Sequence, residues 1–197
     1  RCYYGLAEFK KATEALERAA AMDSGKSSYF LWLGRAYGRR AETSSFITAP
    51  GLATKARANF ERAVSLDPRN IPALNDLFEY YLQAPGFLGG GFDKAKALAE
   101  KIRVLDPVEY HFTQARLAEK QKEFHNAEAQ LRRAVDLAPR QVGRVIDLAK
   151  FLARRGRYQE SDATFQRAQN IEPQSPKLLF EQAATYIETK RNLDMAR

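Results

Sequence analysis

Chemistry in this chain would have to come from a few short constellations. Gly25-Lys26-Ser27 has the ending of a phosphate-binding loop. That loop needs a glycine five residues ahead of Gly25 and a strand before it, so that backbone N–H groups converge on the phosphates. Ala20 stands at the glycine position and a helical pattern precedes it, so the triplet reads as a turn. His111 and His125 are the only histidines, with no Cys or paired carboxylate at ligand spacing, which disfavours a zinc site. Gly89-Gly90-Gly91 would offer backbone donors to an anion at a helix start. Asp93, however, is placed to cap those same donors and would repel a phosphate. No Ser, Thr or Cys lies in a nucleophile elbow, and the carboxylates are scattered over helical surfaces. These residues point to no metal, no cofactor and a non-enzymatic protein.

Composition narrows the partners. The 197 residues carry 32 Lys+Arg against 24 Asp+Glu, a net charge of +8. That balance favours acidic partners and leaves nucleic acid as a less favoured alternative, because basic and aromatic residues are not interleaved on one predicted face. A single cysteine, Cys2, excludes an intrachain disulfide and any multi-cysteine metal site. No apolar run approaches the roughly 20 residues of a membrane span, and the compartment stays open between cytoplasm and periplasm. The chain starts without Met in one helical pattern and stops in another, Asp194–Arg197, so it reads as a piece of a longer protein.

The elements that must position any site are helices. Residues 142–173 divide into two amphipathic runs around Arg155-Gly156-Arg157. Val145, Leu148, Ala149 and Leu152 lie three or four apart in the first run, and Ser161, Phe165 and Ala168 in the second, before Pro173. The same stop recurs at Asp23-Ser24, Asp67-Pro68, Asp106-Pro107 and Ala138-Pro139, with successive stops 44, 39, 32 and 34 residues apart. Before each stop small and large apolar residues alternate at one spacing, as in Ala56, Phe60 and Ala63. One helix pair of this length cannot bury its apolar face alone, so neighbouring pairs must stack.

These residues resemble the tetratricopeptide repeat, whose 34-residue unit carries Leu-Gly and Tyr on its first helix, A, and Ala, a large apolar residue, Ala and Pro on its second, B. Phe30, Leu33-Gly34 and Tyr37, followed by Ala56, Phe60, Ala63 and Pro68, carry the resemblance best. In the third repeat Phe78 replaces the small residue and is expected to splay the helices. The fourth is poorest on helix A, at His111, Gln114-Ala115 and Ala118. The expected fold is all-α, a right-handed superhelical solenoid of antiparallel helix pairs over 1–197. Its repeats would span 27–68, 71–107, 108–139 and 142–173, with partial repeats at 1–24 and 176–197. Apolar ends such as Tyr3, Tyr4, Leu179 and Ile187 would then invite self-association.

Two candidate sites follow. The long spacings place insert loops at about 41–52 and 84–91, each containing Ala-Pro-Gly, as in some bacterial members of the family. Phe46, Ile47, Pro50, Leu52, Pro85, Phe87 and Leu88 are expected to cluster where adjacent A–B turns meet. The resemblance also implies a concave groove lined by helix A. Carried over by register, its residues are Leu31, Arg35, Arg39, Asn75, Glu79, Phe112, Arg116, Ile146, Lys150, Arg154, Phe180 and Ala184. An apolar residue one turn from a cation suits a protein or peptide segment with apolar anchors and nearby carboxylates. The family's carboxylate clamp is not expected, since Leu31 and Arg35 hold the first pair of its positions and Glu79 would repel the ligand. The function expected is a protein-binding scaffold, with an accessory region of a larger enzyme or assembly factor as the alternative.

Overall fold

A computed structural model describes residues 2–191 and shows helices with no strand among them. They fall into two compact units, Arg1–Asp106 and Pro107–Arg197. The first contains α1 (Cys2–Gly5), α2 (Phe9–Met22), α3 (Ser27–Glu42), α4 (Ala49–Leu66), α5 (Ile71–Gln83), a 3-10 turn (Gly86–Leu88) and α6 (Phe92–Leu105). The second contains α7 (Pro107–Lys120), α8 (Phe124–Leu137), α9 (Val142–Arg154), α10 (Tyr158–Ile171) and α11 (Pro176–Glu188). Within each unit every helix packs on the next in sequence. His125 falls in the first turn of α8.

The B helices stop where the sequence pattern breaks. α2, α4, α6, α8 and α10 end at Met22, Leu66, Leu105, Leu137 and Ile171. In each, the following N–H still closes onto the carbonyl four residues back, for example Asp67 onto Ala63. Asp23 Oδ1 and Asp67 Oδ1 then accept from the Gly25 and Arg69 backbone, turning the chain toward the next helix. Ser27, the last residue of the phosphate-loop lookalike, is buried and donates to the Ala63 carbonyl at 2.9 Å. Asn70 donates to Ser27 and caps α5 by accepting from Ala73 N–H. The triplet is a packed turn.

Close helix approach depends on pairing small with large. A Cβ on Gly34 would lie 2.6 Å from the Phe60 ring and 3.1 Å from the Ala56 carbonyl. Ala115 with Leu131 and Ala149 with Phe165 repeat this exchange in the second unit, and all four are buried. In the α5–α6 pair the sizes are reversed. Phe78 is fully buried on helix A, and Ala99 takes the place that Phe60 holds on helix B. The large residue has changed sides, so the Phe78 substitution is met by a compensating small one.

The two Ala-Pro-Gly segments differ in structure, which corrects their reading as equivalent loops. Ala49-Pro50-Gly51 is the first turn of α4, where the missing proline N–H costs nothing. Only residues 43–48 of that insert lie between helices. Ala84 instead ends α5, and Pro85 leads into the 3-10 turn. Gly89 takes φ 85°, a left-handed conformation that glycine adopts without strain.

Tyrosines, Tyr37 buried and Tyr81 half-buried, tie successive pairs together. Tyr37 Oη donates to Glu17, and Tyr81 Oη donates to Glu61 at 2.8 Å. Burial, and then these carboxylates, push both phenols up to about 12. Stability contributed by the neutral phenols is complete below about pH 10, the free tyrosine value, and is lost as pH rises through about 12. Absorbance titration should show Tyr37 and Tyr81 as the last phase, after Tyr4 and Tyr80, which burial also raises. Tyr37→Phe with Tyr81→Phe should remove that phase and flatten the pH dependence of stability between the two values. A separate check is Gly34→Ala, expected to cost about 1–3 kcal/mol in urea unfolding by overpacking, against the gain of about 1 kcal/mol that helix propensity alone would give.

Candidate functional site

In the first unit, α3, α4 and α5 frame an open cavity of about 530 Å³. Gly38, Ala53, Ala56, Phe60 and Ala84 give it an apolar lining, and Tyr4 and Tyr80 add aromatic rings. Arg35, Arg39 and Glu79 from the expected groove line it, and so do Pro85 and Leu88 from the second insert. Two candidates that the sequence kept apart therefore share one cavity. The 3-10 turn is held there by Tyr80 Oη donating to the Leu88 carbonyl at 3.0 Å.

The charges are arranged in pairs. Arg35 Nε lies 2.5 Å from Asp76 Oδ2 and stacks over Trp32, with 4.8 Å from its guanidinium carbon to the ring centroid. Burial pushes the Asp76 carboxyl up, and Arg35 pulls it back. Arg39 pairs with Glu42 along α3. Asn75 is half-buried, and its Oδ1 has no hydrogen-bond partner.

In the second unit a smaller cavity of about 220 Å³ gathers Phe112, Arg116, Lys150 and Arg154 with Glu119, Leu131 and Asp147. Glu119 accepts from Arg116 at 2.8 Å and from Arg154 at 2.7 Å. Lys150 reaches Glu181 at 2.5 Å. Arg144 covers the Phe112 ring at 4.2 Å and lies 3.3 Å from both Glu109 and Asp147. Burial pushes the Asp147 carboxyl up, opposed first by Arg144.

Several expectations need correction. Leu31 and Ile146 are 5% and 2% exposed, so they belong to the core. A register rule places a residue on a helix but does not say how far a neighbour reaches over it. Phe180 is exposed on α11, and Ala184 is half-buried there. The expected apolar cluster of the inserts does not form, because Phe46, Ile47 and Phe87 are 85%, 75% and 83% exposed, while Pro50, Leu52 and Leu88 are half-buried. The second insert packs instead on α4, with the Gly89 backbone against Arg57. Asp93 does not cap α6. The Gly89, Gly90 and Gly91 N–H groups donate to the carbonyls of Gly86, Pro85 and Tyr81, which leaves no donor array for an anion. His111 Nδ1 pairs with Gln130 at 2.7 Å, and no metal-ligand cluster occurs among the described residues.

Sequence reasoning missed Gly38, Asp76, Glu119 and Asp147. Asp76 carried a signal, standing beside groove position Asn75 and one turn before Tyr80. Gly38 carried another, as a second helical glycine one turn after Gly34.

Comparison with known proteins bears on the fold. Residues 108–141 match the family model for the tetratricopeptide repeat. The matched repeat is the one with the weakest helix A pattern, yet its Ala115 and Ala118 are buried, as are Ala149 and Leu152 thirty-four residues later. No curated protein sequence matches the chain. Among solved structures, a thermophilic tetratricopeptide-repeat protein of Thermus thermophilus is 21% identical over 93% of both chains, with a TM-score of 0.67. PilF of Pseudomonas aeruginosa is 15% identical over 98% of this chain and 82% of its own, with a TM-score of 0.58. MamA of Desulfovibrio magneticus is 14% identical over 88% and 91%, with a TM-score of 0.52.

The Arg35–Asp76 pair gives a direct test of the cavity wall. Arg35→Ala strands a half-buried carboxylate and should cost about 2–4 kcal/mol. Arg35→Ala with Asp76→Ala should cost less than that single change. Urea unfolding followed by Trp32, the only tryptophan, reads both.

Proposed function

From the premise that this chain has the tetratricopeptide-repeat fold, with one repeat matched at residues 108–141, we propose that it is a non-enzymatic scaffold for protein–protein interaction. Its first unit takes a bulky apolar side chain of a partner segment. The observation that carries this reading is the cavity of about 530 Å³ floored by Gly38, Ala53, Ala56 and Phe60. Its rim bears paired charges of both signs, Arg35 with Asp76 and Arg39 with Glu42. Such a rim orients polar backbone and flanking charges, while the apolar floor supplies the affinity.

The cations here are already neutralised by their own helices or neighbours. That moves the weight of recognition in this unit from carboxylates to the apolar anchor. Arg116, Lys150 and Arg154 around the smaller cavity of the second unit are likewise paired, with Glu119 and Glu181, so the same weighting holds there.

Gly38 provides the test. A Cβ there meets nothing within 4 Å, so a side chain grows into open space. Gly38→Leu should leave stability unchanged or raise it by up to about 1 kcal/mol through helix propensity. It should also weaken binding of short peptides with a central Leu, Phe or Trp by about 10–100-fold, the worth of burying one such side chain. Fluorescence polarisation on a peptide panel, with central-Ala peptides as controls, measures this. Peptides that bind the wild type and Gly38→Leu equally would place recognition elsewhere.

A further inference from the structure

The A–B edge of the first unit has a surface that the groove does not use. Three turns lie there, between α1 and α2, between α3 and α4, and between α5 and α6. Residues 7–11 share a cleft with Arg40, Thr43 and Ser44, and Ala41 and Glu42 share the large cavity with Pro85 and Leu88, so the turns are neighbours. Each carries an apolar residue into solvent: Leu6, 69% exposed, in the first, Phe46 and Ile47 in the second, and Phe87 in the third. The corresponding turns of the second unit, Gln121-Lys122-Glu123 and Arg155-Gly156-Arg157, are polar. An apolar tip on each of three neighbouring turns costs solubility without adding to the core.

The charges around these tips have one dominant sign. Five exposed lysines, Lys10, Lys11, Lys55, Lys94 and Lys96, lie in the first two turns of α2, α4 and α6, and Arg39 and Arg40 in the last turn of α3, against the acids Glu8, Glu14, Glu42 and Asp93. Lys10, Lys11 and Lys94 occupy first turns, where the helix dipole disfavours a cation. Glu8 holds Lys11 at 2.8 Å and the Gly89 carbonyl holds Lys94 at 2.9 Å, but helix stability does not account for the placement of Lys10. An anionic surface would, because cations and apolar tips on one edge are the combination that holds a protein at a lipid interface.

From this juxtaposition we infer that the A–B edge of the first unit docks peripherally on an anionic lipid bilayer. Phe46, Ile47 and Phe87 enter the headgroup boundary, and the lysines meet lipid phosphates. No helix among the described residues is long and apolar enough to cross a membrane, so the attachment is at the surface. The inference is independent of the peptide cavity, and Gly38→Leu should leave it intact.

Co-sedimentation with vesicles of equal parts phosphatidylcholine and phosphatidylglycerol, beside vesicles of phosphatidylcholine alone, tests it. The protein should bind the anionic vesicles, release with added salt and ignore the neutral ones. Phe46→Ser, Ile47→Ser and Phe87→Ser together remove only exposed side chains and should keep the thermal midpoint while weakening binding about tenfold or more. Lys55→Ala with Lys96→Ala should weaken it by about thirtyfold, at roughly 1 kcal/mol per lysine. Phe87→Trp should add blue-shifted emission on vesicles over the Trp32 background. The inference is overturned if the wild type does not prefer anionic vesicles or if the triple variant binds them equally. It is also overturned if the wild type self-associates or holds a soluble protein through these residues without binding lipid.

Discussion

Helix pairs in this protein exist because a small residue on one helix admits a large one from its partner. Gly34 against Phe60 shows the constraint most sharply, since even one methyl group would sit inside the ring's contact distance. Ala115 with Leu131 and Ala149 with Phe165 satisfy it in the usual direction, and Phe78 with Ala99 in reverse. What is held constant is the combined volume at the crossing, because a close-packed interior tolerates neither a void nor a clash. The long spacings between repeats can then be absorbed in the A–B turns and in a longer α4 without disturbing the packed faces.

The same economy governs the polar groups. Ser27 and Ser161 bind main-chain carbonyls and so remain buried without cost, and the half-buried Asn70 caps a helix. On the more open faces arginines and lysines are spent on carboxylates of their own or adjoining helices. Arg35 holds Asp76, Arg154 and Arg116 share Glu119, and Lys150 holds Glu181. A surface rich in cations thus presents little unneutralised charge within the cavities. Five exposed lysines, Lys10, Lys11, Lys55, Lys94 and Lys96, lie in the first two turns of α2, α4 and α6.

Helix periodicity, stop residues and the recurring Ala–large–Ala spacing were enough to determine the all-α repeat fold and the ends of the B helices. These are local properties: a helix face follows from every third or fourth side chain, and a stop from the residue that cannot continue it. Tertiary structure alone decided the candidate site. Leu31 and Ile146 look like groove residues by register but lie under neighbouring helices. Ala49-Pro50-Gly51 and Ala84-Pro85-Gly86 look alike but begin one helix and end another. Phe46, Ile47 and Phe87 could pack only if facing partners lay within reach, and none does. Exposure and pairing depend on residues distant in sequence, which a linear pattern cannot weigh, whereas helix formation depends on residues within a single turn.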